Sequence, residues 1–466
     1  MVTVQLPLYN ERFVAERLLR AVAALDYPHD RLEIQVLDDS SDDTSAIVAR
    51  VGDELRREGL DVRHLRRAER TGFKAGALAA GLAVARGELL SIFDADFVPA
   101  PDVLERSIDH FSDPKVAVVQ SRWEHVNRDF SSLTEVQALM LDGHFIMEHA
   151  GRNWSGRFFN FNGTAGIWRR AAIEEAGGWQ ADTLTEDLDL SYRAQLAGWR
   201  FVFVPEVVVP AELPVAVADL EAQQHRWAKG AAQTARKLLP RLLAAPLPWR
   251  VRREAFVHLT ANLSYPLMAV LAALIFPAMM LRRGGGWRQL LLVDAPLFAV
   301  ASGAVLLFYV ASQAAVGEPW RARLRLLPAL MATGIGLSAT NGAAVIAGAC
   351  VSGGTFHRTP KYAGVAACMR GYGGGRRLSF WVEGALTIYF AACCVAAMAW
   401  KMWASLPFLY LFLQGYGYLF LLGLLGPRLG KLDQPGHLEA LPPPLHVPPR
   451  RPRDSPSLPM SIATDP

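Results

Sequence analysis

Long apolar segments fill the second half of the sequence, and they constrain the fold more than any other feature. Five of these runs are near or above the roughly 20 residues that an α-helix needs to cross the hydrocarbon of a bilayer. They cover residues 254–281, 289–314, 325–350, 381–400 and 405–426. So much apolar sequence exceeds what an ordinary soluble domain would bury, and it predicts a membrane region at about residues 241–426.

Basic residues favour four membrane spans over five. The segment between the third and fourth runs carries Arg358, Lys361, Arg370, Arg376 and Arg377. Basic loops prefer the cytosolic side of a membrane. If the run 325–350 lies along the membrane or re-enters it, four spans bring this segment to the same side as the N-terminal half. We therefore expect a multi-pass protein of the plasma (inner) membrane with a cytosolic N-terminal domain.

Strand and helix patterns alternate through the first 240 residues. Strand patterns occur at residues 2–7, 32–37, near 62, 89–93 and 116–120, with helical patterns around 14–22 and from about 45 to 58. This alternation predicts an α/β domain at residues 1–240, with a mostly parallel sheet covered by helices on both faces. Ligands of such domains bind at the carboxyl ends of the strands.

Acidic residues follow two of these predicted strands. Asp38 and Asp39 end the second strand, where they could bind a ribose or base edge or simply cap the next helix. Asp94 and Asp96 follow the apolar strand 89–93. Two carboxylates so placed could hold a hard divalent cation that bridges a diphosphate, although turn formation also explains many such pairs.

Two helix starts carry polar groups suited to a substrate. A glycine-punctuated turn precedes a helix of small residues that contains Lys74, which favours a phosphate site or a closely packed helix. Thr185-Glu186-Asp187 begins another helix, where acids also have an ordinary role because the helix dipole stabilises them. Between these helices, the aromatic and small residues of 159–169 would suit a sugar site.

Net charge argues against one class of partner. The formal charge of +4 is small for 466 residues, and arginines cluster beside the apolar runs. This pattern suits lipid headgroups and anionic substrates better than nucleic acid. We therefore expect a lipid bilayer, and no nucleic acid, among the partners.

Together these motifs resemble those of the family 2 glycosyltransferases. Within that family they resemble the membrane-embedded cellulose-synthase-like group, especially its mannan and glucomannan synthase-like branch. The motifs are Asp38-Asp39, Gly72-Phe73-Lys74-Ala75-Gly76, Asp94-Ala95-Asp96, Phe161-Asn162-Gly163-Thr164-Ala165-Gly166, Thr185-Glu186-Asp187 and Gln223-Gln224-His225-Arg226-Trp227. The last matches the specific QxxRW pattern of the family at Gln223, Arg226 and Trp227. The resemblance is strong over about residues 2–240 and loose in the membrane region.

The resemblance implies a GT-A (Rossmann-like) catalytic domain that performs an inverting hexosyl transfer from a nucleotide sugar. Donor binding would fall to Asp38, Asp39, Lys74, Asp94 and Arg226. A divalent metal, Mg²⁺ or Mn²⁺, would be held by Asp96 and Asp94. The acceptor would contact Gly163, Thr164, Glu186 and Trp227, and Asp187 would be the general base that deprotonates its hydroxyl.

The basic segment near residues 351–380 resembles the FxVTPK gating loop of processive relatives. The matching residues are Phe356, Thr359 and Lys361, with Arg358 where valine is usual. A threonine and a lysine there could cover a bound diphosphate, and a basic linker beside the membrane is the alternative. The Pro-rich residues 427–466 predict a disordered tail.

We hypothesise that the chain extends a β-linked polysaccharide from GDP-mannose or UDP-glucose, with accessory export subunits among its expected partners. The alternative is a single transfer of a sugar to a lipid, and the motifs do not select the donor. Relatives in this group generally carry spans before the catalytic domain, whereas here Met1 almost begins the first strand. We therefore expect that an N-terminal membrane segment is missing.

Overall fold

The structure is a computed structural model that describes residues 1–281, 292–293, 295–317, 320–354, 361 and 378–429. Within these ranges the N-terminal half is built on one seven-stranded sheet with the order β3-β2-β1-β4-β6-β5-β7. The strands are β1 (Val2–Leu8), β2 (Leu32–Asp38), β3 (Asp61–Leu65), β4 (Leu89–Ile92), β5 (Val116–His125), β6 (Gly166–Arg169) and β7 (Arg200–Ala211). Strand β6 is antiparallel to β4 and β5, while the other neighbouring strands are parallel. The expected mostly parallel sheet is confirmed.

Helices cover both faces of this sheet. They are α1 (Ala15–Ala23), α2 (Thr44–Arg57), α3 (Phe73–Val84), α4 (Glu105–Ile108), α5 (Ser132–Asp142), α6 (Ala150–Trp154), α7 (Arg170–Glu175), α8 (Glu186–Leu196) and α9 (Val217–Ala244), with a π-helical segment at Gly143–His149 between α5 and α6. Two large apolar clusters fill the domain. Because both faces are covered, β2 is buried along its whole length.

Buried polar pairs hold the central strands in register. The Thr3 hydroxyl donates to Glu33 at 2.7 Å, and the Gln5 amide donates to Gln35 at 3.0 Å. These residues are direct partners in the parallel ladder between β1 and β2. The same ladder brings the end of β1 beside Asp38, so the residues that follow both strands lie at one edge of the sheet.

Strands β6 and β7 were not predicted, and β5 extends five residues beyond its predicted end at Gln120. Strand β7 contains Pro205 and Pro210, which usually argue against a strand. It lies at the edge of the sheet, where a residue without an N–H is tolerated. Strand β6 is only four residues long, too short to show an alternating pattern.

Apolar helices form most of the C-terminal half. They are α10 (Trp249–Thr260), α11 (Ser264–Leu281), α12 (Ala295–Val316), α13 (Trp320–Arg323), α14 (Leu327–Gly336), α15 (Ser338–Cys350), α16 (Leu378–Ala399) and α17 (Leu406–Leu429). Among the described residues, four segments are long and apolar enough to cross a membrane: Trp249–Leu281, Ala295–Val316, Leu378–Ala399 and Trp403–Leu425. The predicted run 325–350 forms a helix pair bent by 40°, which gives a fifth span only if the pair is counted as one.

Helix α15 packs directly on α9 and carries the chain to the N-terminal domain. A Cβ on Gly348 would lie 2.4 Å from the Lys229 carbonyl oxygen, so the two helices approach as closely as glycine allows. The Gln233 amide of α9 then donates to the carbonyl oxygens of Val351 and Gly353, at 2.9 and 2.7 Å. The segment that leaves the apolar region is thereby fixed near the start of α8.

Candidate active site

One cavity opens at the carboxyl edge of the sheet, where the α/β pattern predicts a ligand site. Most of the predicted site residues line it: Asp39, Lys74, Asp94, Asp96, Gly163, Glu186, Asp187, Gln223, Arg226, Trp227 and Lys361. Asp38 and Thr164 are buried and do not line the cavity. Phe356 and Thr359 lie outside the described residues.

Asp38 and Asp39 face different surroundings. The Asp38 side chain is fully buried and accepts hydrogen bonds from the Ser40 amide and the Ser45 hydroxyl, while His64 lies 2.9 Å away. Burial alone would raise the pKa of Asp38, but these partners outweigh it and hold the pKa at about 2. Asp39 reaches the cavity and pairs with Arg67. Asp38 therefore organises the loop that presents Asp39.

Lys74 joins the helix start of α3 to the first aspartate of the Asp94-Ala95-Asp96 motif. Its Nζ lies 2.5 Å from Asp94 Oδ1 and donates to the Gly163 carbonyl oxygen at 2.9 Å. Burial opposes the charge of Lys74, but Asp94 and Glu186 outweigh that effect and raise its pKa. Thr164 holds the backbone of the motif, because its hydroxyl accepts the Asp94 amide hydrogen at 2.9 Å.

Asp96 is the more enclosed of the two aspartates. Its Oδ2 accepts the Glu212 amide hydrogen at 3.3 Å and lies 2.7 Å from Lys361 Nζ. Arg17 of α1 contacts both Asp96 and Glu212. It donates to the Asp96 carbonyl oxygen and lies 2.8 Å from the Glu212 carboxylate. The Lys361 ammonium therefore places a positive charge against Asp96 Oδ2.

Asp187 lies in the first turn of α8, and its carboxylate points into the cavity. Its Oδ1 accepts the Leu188 amide hydrogen at 2.8 Å. A Cβ on Gly163 would lie 3.0 Å from Asp187 Oδ2, so this glycine, at φ +81°, leaves room for the carboxylate. Burial, followed by the charge of Glu186, raises the pKa of Asp187 well above the ordinary aspartate range, against the opposing effect of Lys74 and Arg226.

Helix α9 packs against the residues at the start of α8. A Cβ on Gly230 would lie 2.6 Å from Thr185 Cγ2, so the two segments touch with no space for a methyl group. The Leu184 amide donates to Gln233 at 2.9 Å, and the hydroxyls of Thr185 and Thr234 lie 3.2 Å apart. Helix α9 also carries Gln223, Arg226 and Trp227 into the cavity, so one helix positions both groups of site residues.

The charges around the cavity are unbalanced. Among its described lining residues, seven carry carboxylates and four carry lysine or arginine side chains. Burial lowers the pKa of the Arg226 guanidinium, while the carboxylates of Glu186, Asp187 and Asp94 raise it. Two of these carboxylates, Asp39 and Glu212, are paired with Arg67 and Arg17, which lie just outside the lining. The hard oxygens of Asp94 and Asp96 suit Mg²⁺ or Mn²⁺.

Several lining residues were not predicted as site residues. They are Tyr9, Glu11, Arg70, Trp123, His125 and Glu212. His125 and Glu212 stand at or just after the ends of β5 and β7, and recognition of those strand ends would have indicated them. Arg70 lies over the Tyr9 ring, with its guanidinium carbon 3.4 Å from the ring centroid.

A mostly parallel sheet with one antiparallel strand, an Asp-x-Asp motif at its carboxyl edge and a helix beside it that begins with Glu186 and Asp187 defines a glycosyltransferase domain of the GT-A type. Residues 2–230 match the model of the family described as "Glycosyltransferase like family 2". This N-terminal part of the chain belongs to that family.

Curated relatives agree with the predicted mannan synthase-like branch. Glucomannan 4-beta-mannosyltransferase 2 of Arabidopsis thaliana is 46% identical over 246 residues, which are 51% of this chain and 46% of the relative. Glucomannan 4-beta-mannosyltransferase 1 of Oryza sativa subsp. japonica is 44% identical over 246 residues, covering 51% and 47%. The matched region thus spans about half the length of these relatives.

A solved structure resembles more of the chain. Mannosyltransferase PcManGT from Pyrobaculum calidifontis, in complex with GDP-Man and Mn2+, is 25% identical and superposes with a TM-score of 0.50. The similarity covers 74% of this chain and 86% of that one.

Proposed function

We propose that the protein is an inverting, membrane-embedded glycosyltransferase that moves mannose from GDP-mannose to a growing β-linked polysaccharide. The observation that carries this proposal is the convergence of Asp39, Lys74, Asp94, Asp96 and Asp187 on one cavity at the carboxyl edge of the sheet. Mannose is favoured over glucose because the curated relatives are mannosyltransferases and the solved structure is a complex with GDP-Man.

Asp187 is the proposed general base. An inverting transfer is a single displacement, in which the acceptor hydroxyl attacks the anomeric carbon opposite the leaving diphosphate. The hydroxyl proton passes to one carboxylate, and no second nucleophile is required. The raised pKa of Asp187 supports this role, because a base with greater proton affinity accepts the proton more readily.

Positive side chains in the same cavity would receive the leaving group. Lys74 and Arg226 both line the cavity with Asp187. In the proposed complex their charges face the diphosphate, and Asp39 contacts the nucleoside on the side of the sheet formed by β1 and β2. Trp227, Gly163 and Glu186 border the acceptor.

A divalent cation is part of the proposal. Asp96 and Asp94 would hold it, and when bound it would offset the charge of the leaving diphosphate. The contact between Lys361 and Asp96 Oδ2 supports this assignment, because it places a cationic group against the same oxygen. Lys361 lies in the segment predicted to cover a bound diphosphate, and its release from Asp96 would free it for that contact.

We further propose a plasma (inner) membrane location with the catalytic domain in the cytosol. The basic residues between residues 351 and 380 support that orientation. In the proposed organisation, residues 1–240 catalyse transfer, residues 241–426 anchor the enzyme, and residues 427–466 form a tail. Passage of polymer across the bilayer would involve accessory export subunits.

A donor panel tests the proposal. The full chain in nanodiscs is incubated with radiolabelled GDP-mannose or UDP-glucose, in Mn²⁺, in Mg²⁺ or in EDTA, and product size is scored on thin-layer plates. We expect transfer from GDP-mannose that depends on the cation and yields polymer retained at the origin. One sugar on an extractable lipid would overturn the polysaccharide acceptor, and no transfer from either donor would overturn the activity.

A further inference from the structure

His125 is a buried histidine that faces the cavity with its hydrogen-bonding groups unused. It is the last residue of β5, it is only 7% exposed, and it lines the cavity wall. Neither imidazole nitrogen has a hydrogen-bond partner among the described residues. Buried polar groups in proteins are nearly always paired, so a histidine in this state beside a cavity indicates a ligand that supplies the partner.

Trp123 extends the same wall. It lies two residues before His125 on β5, so both side chains project from the same face of the strand. Its indole N–H is also buried without a partner in the described part of the chain, and its ring packs edge-on against Phe97 at 5.3 Å. Leu141, Leu213 and Pro214 complete an apolar surround.

The chemistry of this wall selects a hydroxyl-bearing ligand. Burial lowers the pKa of His125 to about 4, despite the nearby carboxylate of Glu124, so the imidazole is neutral at physiological pH. A neutral imidazole offers one donor and one acceptor, which matches a hydroxyl group. An anion would need only donors, and among the described residues His125 belongs to no group of three or more His, Cys, Asp or Glu side chains that could hold a metal ion. An aromatic ring beside such a group suits the apolar face of a pyranose.

The position of the wall distinguishes the acceptor from the donor. Asp39 follows β2, on one side of β4 in the sheet, and the proposed nucleoside contact lies there. His125 lies on the other side and pairs across the sheet with Ala211, next to Glu212, whose amide binds Asp96. The aspartate motif therefore separates the two walls.

We infer that Trp123 and His125 form a binding subsite for a sugar unit of the acceptor, with the imidazole of His125 hydrogen-bonded to a ring hydroxyl. This inference rests on the proposed function, because it gives the acceptor its chemical class. It assigns the polysaccharide a contact on the protein that is independent of the general base.

Isothermal titration of the full chain in nanodiscs tests the subsite. The protein is loaded with GDP and Mn²⁺ and titrated with β-1,4-linked mannotetraose, and GDP affinity is measured separately. Substitution His125→Phe keeps a planar ring and removes both nitrogens, so we expect tetraose affinity to fall about tenfold, the loss of roughly one hydrogen bond. GDP affinity should stay within about twofold of the wild type, since one hydrogen bond fewer on the acceptor wall leaves the donor contacts intact.

Two further variants separate binding from folding. His125→Gln retains a donor and an acceptor and should recover most of the tetraose affinity. Trp179→Phe removes a buried indole N–H that is likewise unpaired among the described residues but lies in the core, away from the cavity, and it should leave tetraose affinity unchanged.

Equal tetraose affinity in the wild type and His125→Phe would overturn the subsite, as would a wild type that binds GDP but no tetraose. A loss of GDP affinity in place of tetraose affinity would assign His125 to the donor and overturn it too. The titration requires no catalysis. If the proposed transfer activity fails, a loss of tetraose affinity in His125→Phe would therefore still support the subsite.

Discussion

Helix α9 touches the start of α8 at Gly230, and a single methyl group there should disturb catalysis. The Cβ of Gly230→Ala would lie 2.6 Å from Thr185 Cγ2 and 2.8 Å from the Thr185 nitrogen. Carbon atoms pack at about 3.5–4.0 Å, so the two segments must separate by about 1 Å. A shift of about 1 Å at reacting groups costs about 100-fold in rate, or about 2.7 kcal/mol in activation free energy.

The assay compares kcat for mannose transfer with GDP affinity in the same preparation. We expect Gly230→Ala to lower kcat about 100-fold because Asp187 follows Thr185 in the displaced turn, while GDP affinity changes little. Overpacking costs about 1–3 kcal/mol of stability, partly offset by about 1 kcal/mol from the better helix propensity of alanine.

Two glycines serve as matched controls for this substitution. Gly87→Ala is equally crowded, with its Cβ 2.5 Å from the Thr3 nitrogen, but it lies at the opposite end of the sheet. Gly151→Ala, in α6, meets no described atom within 4 Å. Wild-type kcat in Gly230→Ala, or an equal loss of kcat in Gly87→Ala, would refute the reasoning.

Three other predictions concern the charges of the site. The raised pKa of Asp187 predicts that transfer slows as pH falls through neutrality, because the proposed base must be deprotonated; a rate independent of pH from about 5 to about 8 would contradict this. A raised folded-state pKa also means that stability is lost as pH rises through it, so Asp187→Asn should melt no lower than the wild type at about pH 8, and a lower melting temperature would contradict this. Lys361→Met removes the ammonium from Asp96, so Mn²⁺ titrations followed by electron paramagnetic resonance without nucleotide should show about tenfold tighter binding; unchanged or weaker binding would contradict this.

Much of the site could be predicted because its motifs follow strands that end at one edge. Asp39 and Asp94 come after strong apolar strand patterns, and a doubly wound sheet brings such ends together. The helix start at Thr185 was also predicted, and α8 begins at Glu186 as expected. For these residues, local sequence and sheet topology were sufficient.

Other parts of the site depend on packing that local sequence does not show. Glu212 was missed because β7 contains prolines that are tolerated only at a sheet edge. The contacts of Arg17 with Glu212 and Asp96 join positions far apart in the chain. The different surroundings of Asp38 and Asp39 could not be predicted from the sequence. Adjacent aspartates are alike in sequence and differ only in the partners that the fold brings to them.

Transfer by the Asp187→Asn variant tests the central claim most directly. The amide keeps the shape of the side chain but cannot accept the acceptor proton, and general base catalysis contributes about 10²–10⁴-fold to rate. With radiolabelled GDP-mannose and Mn²⁺, we predict a fall in transfer of about 10³-fold while GDP still binds. Transfer at the wild-type rate would contradict the assignment of Asp187 as the base and, with it, the proposed mechanism.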